Sequence, residues 1–296
     1  MSLTQTDLKG VVPLVSRGKV RDIYELDPET LLFVATDRIS AYDVIMSNGI
    51  PSKGKILTKL SEFWFDFLPV PNHLIKGDLF EKYPQLAPFR SQLEGRALIV
   101  RKLKLIPLEV IVRGYITGSA WKEYKKLGTV HGIKVESGLV ESQEFKEPIF
   151  TPSTKAEQGE HDENISPEQA AQIVGQELCG KLEKLAVELY VKAKEYAKTK
   201  GIIIADTKFE FGLDENDEIV LVDEVLTPDS SRFWSKENYK LGEGQDSYDK
   251  QFLRDWLTSN GLNGKDGVAM SDEVAKKSKE KYVEAYKQLT GNKWQE

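Results

Sequence analysis

The chain has 296 residues, 40% hydrophobic and 30% charged, with 22 Gly and 12 Pro, an ordinary globular composition sized for one large domain or two lobes. No window approaches the ~18 consecutive apolar residues of a membrane helix, and the polar start MSLTQTDLKG carries no signal or transit pattern, so a cytoplasmic location is expected. Net charge is −6, from 41 Lys+Arg against 47 Asp+Glu, with no long basic run: nucleic-acid binding is not expected, and an anionic substrate would need a local field from a few focused cations.

Residues 11–24 and 31–36 read as strands around Gly18 and Lys19, a hairpin able to lay backbone N–H groups and an ammonium over phosphates, or simply a hairpin. Asp37-Arg38-Ile39-Ser40-Ala41-Tyr42-Asp43 follows as a polar cluster at a strand end, where ligand groups tend to sit, or as a plain turn. Residues 49–55, GIPSKGK, fit the first seven places of a P-loop. Ile56 stands where the metal-binding Ser or Thr belongs, so the segment reads as a turn before an amphipathic helix over 57–68. Pro69, Pro71, Pro84 and Pro88 mark 69–94 as a surface connection.

Apolar runs at 97–106 and 108–112, broken by Pro107, read as buried strands or a strand and a linker between lobes. The main chain of Glu109, Val110, Ile111 and Val112 is a candidate partner for an adenine edge. Arg113 then leads to Gly118-Ser119 at a helix start, which is either an anion site or an ordinary cap. Residues 148–166 hold almost no apolar residue after Phe150. They read as a disordered loop, or as a lid in which Ser153, Thr154, Lys155, Glu157, His161 and Asp162 fold over a polar ligand. His73, His131 and His161 lack metal-ligand spacing, which argues against zinc.

Ser166-Pro167-Glu168-Gln169 is a capping box with Pro at the first helical position. The pattern it opens runs to Lys200 and stops at Gly201, weakened at Gly175 and Gly180. The single cysteine, Cys179, lies within it and reads as structural; it rules out an intramolecular disulfide. A further helix capped by Asp246 or Ser247 ends at Gly261, and 271–290 reads as a last helix with a packing role.

Residues 203–232 alternate on both sides of the turn cluster Asp214-Glu215-Asn216-Asp217 and so predict a hairpin. Closure on Glu215-Asn216 sets Lys208 opposite Asp223, with Asp206, Lys208, Glu210 and Asp223 on one face and Val220 and Val222 on the other. An ammonium among carboxylates is either a solvated ionic face or a Mg²⁺–nucleotide site, since Mg²⁺ is typically held by one or two carboxylates plus phosphates. The turn Thr227-Pro228-Asp229-Ser230-Ser231-Arg232 ends in an Arg suited to a phosphate or carboxylate.

LIPLEVIVRGYITGS (105–119) and IADTKFEFG (204–212) resemble the two signature segments of the SAICAR synthetases of purine biosynthesis. GKVRDIY, ATDRISAYDV, TPSTKAEQGEHDENIS, DEVLTPDSSRFW and SYDKQFLRDWL add to the likeness in chain order, and the long form of 120–166 looks fungal. The resemblance implies an ATP- and Mg²⁺-dependent ligase joining L-aspartate to the carboxylate of the aminoimidazole ribotide CAIR, giving SAICAR, ADP and phosphate through an acyl phosphate. It implies an α+β fold of two lobes: residues 1–112 as a kinase-like antiparallel lobe, and 113–296 as an ATP-grasp-like lobe with flanking helices. A monomer is expected.

By the same likeness Gly18, Lys19, Arg21 and Glu109 to Val112 would meet ATP, and Glu210 and Asp223 would hold Mg²⁺. Lys208 would face the transferring phosphoryl. Asp37, Arg38, Ser40, Arg113, Ser119 and Arg232 would bind the ribotide, and Lys155 the aspartate. A small-molecule kinase on a similar frame is the alternative, and a non-catalytic nucleotide-binding module a third reading. The absence of HRD and DFG motifs counts against the kinase, and an intact Lys208, Glu210 and Asp223 set against the module.

Overall fold

The computed structural model describes residues 2–42, 44–155, 162–248 and 250–295. Asp43, Glu157 and His161, named above, lie outside the described residues.

Alternation builds the first sheet. β1 (Leu14–Arg17), β2 (Arg21–Asp27), β3 (Thr30–Ala35) and β6 (Ala97–Arg101) pair antiparallel in the order β1-β2-β3-β6. Tyr24, Leu32, Val34 and Ile99 point to one side and form a small apolar core with Leu8 and Val12. Between β3 and β6 come a two-residue pair, β4 (Ser40–Ala41) and β5 (Val44–Ile45), then α1 (Lys53–Phe67), α2 (Leu79–Lys82) and α3 (Arg90–Leu93). The expected surface connection at 69–94 is therefore partly helical. Asp78 caps α2 through the N–H groups of Phe80 and Glu81, and Pro84 opens a 3-10 turn. Leu79, Leu86 and Leu93 cover the small core.

The second sheet has seven strands. β8 (Leu108–Tyr115) lies between β11 (Glu144–Phe150) and β13 (Ile202–Leu213), with β14 (Ile219–Val222) beyond; β12 (Ser153–Thr154) also pairs with β8, and β7 (Lys104–Leu105) and β15 (Ser231–Ser235) with β13. α4 (Gly118–Leu127) and a ribbon of β9 (Thr129–Val130) with β10 (Ile133–Lys134) follow β8. The capping box forms as read, but the long helix is two: α5 (Pro167–Val174) and α6 (Gln176–Thr199), parted at Gly175 with φ 92°. Leu182, Ala186, Leu189, Ala193 and Ala197, three or four apart, bury one face of α6 in the main core. α7 (Gln251–Ser259) starts later than expected, and α8 (Asp272–Thr290) closes the chain.

The main core does not respect a division at residue 112. Ile56, Leu60 and Trp64 of α1 sit in one apolar cluster with strand residues of the second sheet, α6 and α8. Burying Trp64 completely is worth ~3–5 kcal/mol against alanine. A cut at 112 would also sever β8. The two sheets part between β6 and β7, because β7 already pairs with β13.

The 203–232 hairpin forms with its register one residue from expectation. Glu210 faces Val222 and Leu213 faces Ile219, so five residues, 214–218, make the turn. The Asp214 carboxylate accepts from the N–H groups of Asn216 and Glu218, and Asp217 takes φ 59°, which admits the extra residue. Asp223 therefore does not face Lys208 by strand alternation. The strand ends at Val222, and Asp223, at φ 66°, is turned by its own backbone toward the charged face.

Candidate active site

Strand periodicity puts Asp206, Lys208 and Glu210 on one face of β13. Lys208 Nζ donates to Glu109 Oε1 at 2.9 Å and Glu210 Oε1 at 2.8 Å. Lys155 pairs with the other oxygen of Glu210. Across the cleft Arg21 of β2 donates to Asp223, and Glu224 stands 3.6 Å from the same guanidinium. A cavity of about 560 Å³ opens here between the two sheets. It gathers Gly18, Lys19, Arg21, Ser40, Glu109, Lys208 and Asp223 from the predicted set.

The charges are held by one another. Burial opposes the Lys208 ammonium, but Glu210, Glu109 and Asp223 outweigh it and keep it protonated well above its ordinary range. Burial likewise opposes the Asp223 carboxylate, yet Arg21, Lys208 and Lys155 hold its pKa far below the usual value. Its chain neighbour goes the other way: burial and the nearby Asp229 charge push Glu224 up. Two adjacent carboxyls with opposed pKa shifts are typical of a functional cleft.

A second corner adjoins the first. Asp206 accepts from Arg113 at 2.9 Å and from Arg232 at 2.5 Å. Arg113 is buried and also donates to Thr151, while Ser119 at the start of α4 lies 3.4 Å away. Arg232 is the more exposed of the two and lines a cavity of about 110 Å³ with Asp206, Asp229, Lys250 and Arg254. Glycine suits position 118, where φ is 57°; a Cβ would stand 2.5 Å from the Arg232 guanidinium and push it aside.

Three predicted groups stand elsewhere. Asp37 is fully buried beneath the cleft, with its carboxylate taken by Arg96 at 2.8 Å and by the N–H groups of Leu3 and Gly54. Arg38 is buried on Asp22 at 2.8 Å and grips the carbonyls of Thr4, Gly18 and Lys19, so it braces the Gly18 loop from behind. Both were expected to line the substrate cleft; their ion-pair partners hold them below it. Glu109 to Val112 cannot offer a free main chain to adenine, because β8 is flanked by β13 on one edge and by β11 and β12 on the other. Val110 and Val112 have no exposed surface, and only the Glu109 side chain reaches the cleft.

The expected lid is also partly sheet. Ser153 donates to Glu109 Oε2 at 3.1 Å and bridges to Asn164; among the described residues of that segment Asp162 lines the cleft and Lys155 reaches Glu210. Sequence reading gave no role to Glu224, Lys250 or Arg254, and to Asp229 only a place in a turn. The four-residue spacing of Lys250 and Arg254, beside an apolar helix face, was the available signal.

The carboxylates of Glu210, Asp223 and Glu224 are hard oxygen donors suited to Mg²⁺. Among the described residues no group of three or more His, Cys, Asp or Glu side chains forms a metal cage. No helix among them is long and apolar enough to cross a membrane.

A cleft between two α+β lobes, lined by a lysine between carboxylates and by arginines, has the equipment of an ATP-dependent ligase. The SAICAR synthetase family model matches residues 14–271. The phosphoribosylaminoimidazole-succinocarboxamide synthase of Candida maltosa is 74% identical over 294 residues, 99% of this chain and 100% of its own length. A solved SAICAR synthase of Saccharomyces cerevisiae, complexed with SAICAR, is 64% identical with a TM-score of 0.94 and full coverage of both chains. A type-2 SAICAR synthetase in complex with ADP is 28% identical, with a TM-score of 0.71 over 95% of this chain and 99% of its own. The chain belongs to the SAICAR synthetase family, which carries out an ATP-dependent ligase step of purine biosynthesis. These matches favour the ligase over the kinase alternative.

Proposed function

We propose that the cleft around Lys208 is where this chain joins L-aspartate to the carboxylate of CAIR at the expense of ATP. The observation that carries the reading is the Lys208 ammonium held between Glu109 and Glu210, with Asp223 from the end of β14 on the same side and Arg21 reaching Asp223 from the first sheet across the cleft. A carboxylate is a poor acyl donor because oxide would have to leave. Attack of its oxygen on the γ-phosphorus breaks the bond to the β–γ bridging oxygen and gives an acyl phosphate and ADP. The aspartate nitrogen then bonds to the carbonyl carbon, phosphate leaves, and the amine gives up a proton. The protein's task is to position reactants and balance charge.

Lys19 and Arg21 are suited to the phosphates of ATP, and Lys208 to the transferring phosphoryl. Glu210 and Asp223, with Glu224 beside them, would hold Mg²⁺, which supplies charge neutralisation on the phosphates. Arg232 and Ser119 would take the ribotide phosphate or carboxylate, with buried Arg113 steadying Arg232 through Asp206. Ser40 and Lys155 complete the substrate side. The ADP-bound and SAICAR-bound relatives support these small-molecule partners. We also propose a cytoplasmic monomer whose nucleotide lobe ends near residue 102, before β7.

ADP release from ATP-Mg²⁺ and CAIR, with and without L-aspartate, tests the reaction. Fast ADP formation only with both partners supports the ligase; equal rates without aspartate contradict it. Lys208→Ala or Glu210→Ala is expected to lower kcat by ~10²-fold or more through lost charge stabilisation. Near-normal turnover in either variant removes that residue from the mechanism.

A further inference from the structure

Asp229 is where three distant parts of the chain converge. Its Oδ2 accepts from Lys53 Nζ at 2.7 Å and lies 3.4 Å from Lys250 Nζ; its Oδ1 accepts from Tyr282 Oη at 3.0 Å. Lys53 begins α1, within the stretch that imitates a P-loop, and its side chain has 0% exposure. It cannot touch substrate. Tyr282, on α8, is 1% exposed. Lys250, by contrast, lines both the large cleft and the smaller cavity by Arg232, together with Arg254. The Asp229 carboxylate thus has two partners inside the protein and one at the junction of the two cavities.

A buried ammonium is expensive, and a well-packed apolar side chain is often the more stable choice at such a position. A purely structural pin between α1, α8 and the 227–232 turn would leave that cost without a function. The carboxylate instead reaches the walls of both cavities. Its outer partner is a lysine whose charge is disfavoured by burial and by Lys53, with Asp229 opposing them.

We propose that Lys53 and Tyr282 are positioning residues for the ligase reaction: they fix the Asp229 carboxylate from inside the core, and through it set where the Lys250 ammonium stands between the two cavities. This rests on the cleft being the ligase site. The groups facing Asp229 among the described residues are Lys53 from α1, Tyr282 from α8, Lys250 before α7, and Glu224 just before the 227–232 turn, with Arg254 behind Lys250. The substrate part served is the anionic one, the carboxylate and phosphate of the ribotide, and not the adenine.

Tyr282→Phe keeps the buried ring and removes the hydroxyl that donates to Asp229, so it should fold. The expected result is an unchanged KM for ATP and a fall of about tenfold in kcat/KM for CAIR, the scale of a small misplacement of a reacting partner. Lys53→Met should do the same, more strongly; if it does not fold, Tyr282→Phe decides alone. Wild-type kcat/KM for CAIR in Tyr282→Phe, beside an inactive Lys208→Ala, would overturn the proposal. A lowered Tm with unchanged kinetics would also overturn it, in favour of the structural pin. An active Lys208→Ala would overturn the reading of the cleft instead.

Discussion

At the scale of single residues the charge pattern has a consequence for acid stability. His73 bridges the two sheets: its N–H donates to the Leu221 carbonyl, and its own carbonyl accepts from Arg101. Its ring lies against Phe33 and Phe65. Burial, with Arg21 adding and Asp223 opposing, lowers its pKa to about 3. Below its ordinary pKa of ~6.5 the unfolded chain takes up a proton that the folded chain refuses until about pH 3. The folded state therefore keeps this contribution above pH 6.5 and loses it as pH falls through that window, at ~1.4 kcal/mol per unit. Between pH 7 and 5 the loss from His73 is roughly 2 kcal/mol. Denaturant midpoints at the two pH values should differ less in His73→Phe than in wild type, whatever its absolute stability. Equal differences would show that His73 is not the acid-sensitive group. Such roles are hard to read from residues alone. Asp206, Lys208 and Glu210 are legible because strand period two aligns them. Asp37 and Arg38 look equally functional in the sequence, but their partners Arg96 and Asp22 lie elsewhere in the chain and turn them into buried supports.

At the scale of elements, glycine separates what the sequence marks from what only packing decides. The capping box at Ser166 and the last helix over 271–290 were written locally; α5 starts at the box, and α8 starts at Asp272, where the structure shows Ser271 capping it. The break at Gly175 and the slipped hairpin register were not. Each depends on a positive φ, at Gly175, Asp217 and Asp223, that no periodicity announces. Two glycines give a paired test. Gly180 lies inside α6 with open space around its missing Cβ, so Gly180→Ala should stabilise by about 0.5–1 kcal/mol. Gly114 lies inside β8, where a Cβ would overlap the Tyr190 hydroxyl. That hydroxyl donates to the Ile204 carbonyl at 2.6 Å and ties α6 to β13. Gly114→Ala should therefore destabilise by ~1–3 kcal/mol, the cost of overpacking a filled core. Urea midpoints measure both. A neutral Gly114→Ala would mean that Tyr190 can move without loss.

At the scale of the whole molecule the two sheets are not two independent folding units. α1 lies early in the chain, yet it packs in the core shared with α6 and α8. Asn72 and Leu74 bridge to Leu221 and Val100, one in each sheet. Ile106 donates its N–H to Phe211, fastening the connection between the sheets. The small core of the first sheet, around Leu32 and Val34, has far fewer side chains to stabilise it alone than the main core. The expected calorimetric scan is one transition, with an enthalpy on the order of 200 kcal/mol near 60 °C. Saturating ATP-Mg²⁺ should shift that transition as a unit, by ~3 kcal/mol at a hundred times Kd, since the cleft takes walls from both sheets. Residues 1–112 expressed alone should show no cooperative transition, because the cut divides β8 and strips α1 of its partners. Two separate transitions in the intact chain, with only the first moved by nucleotide, would mean instead that the first sheet folds by itself and meets the second only across the cleft.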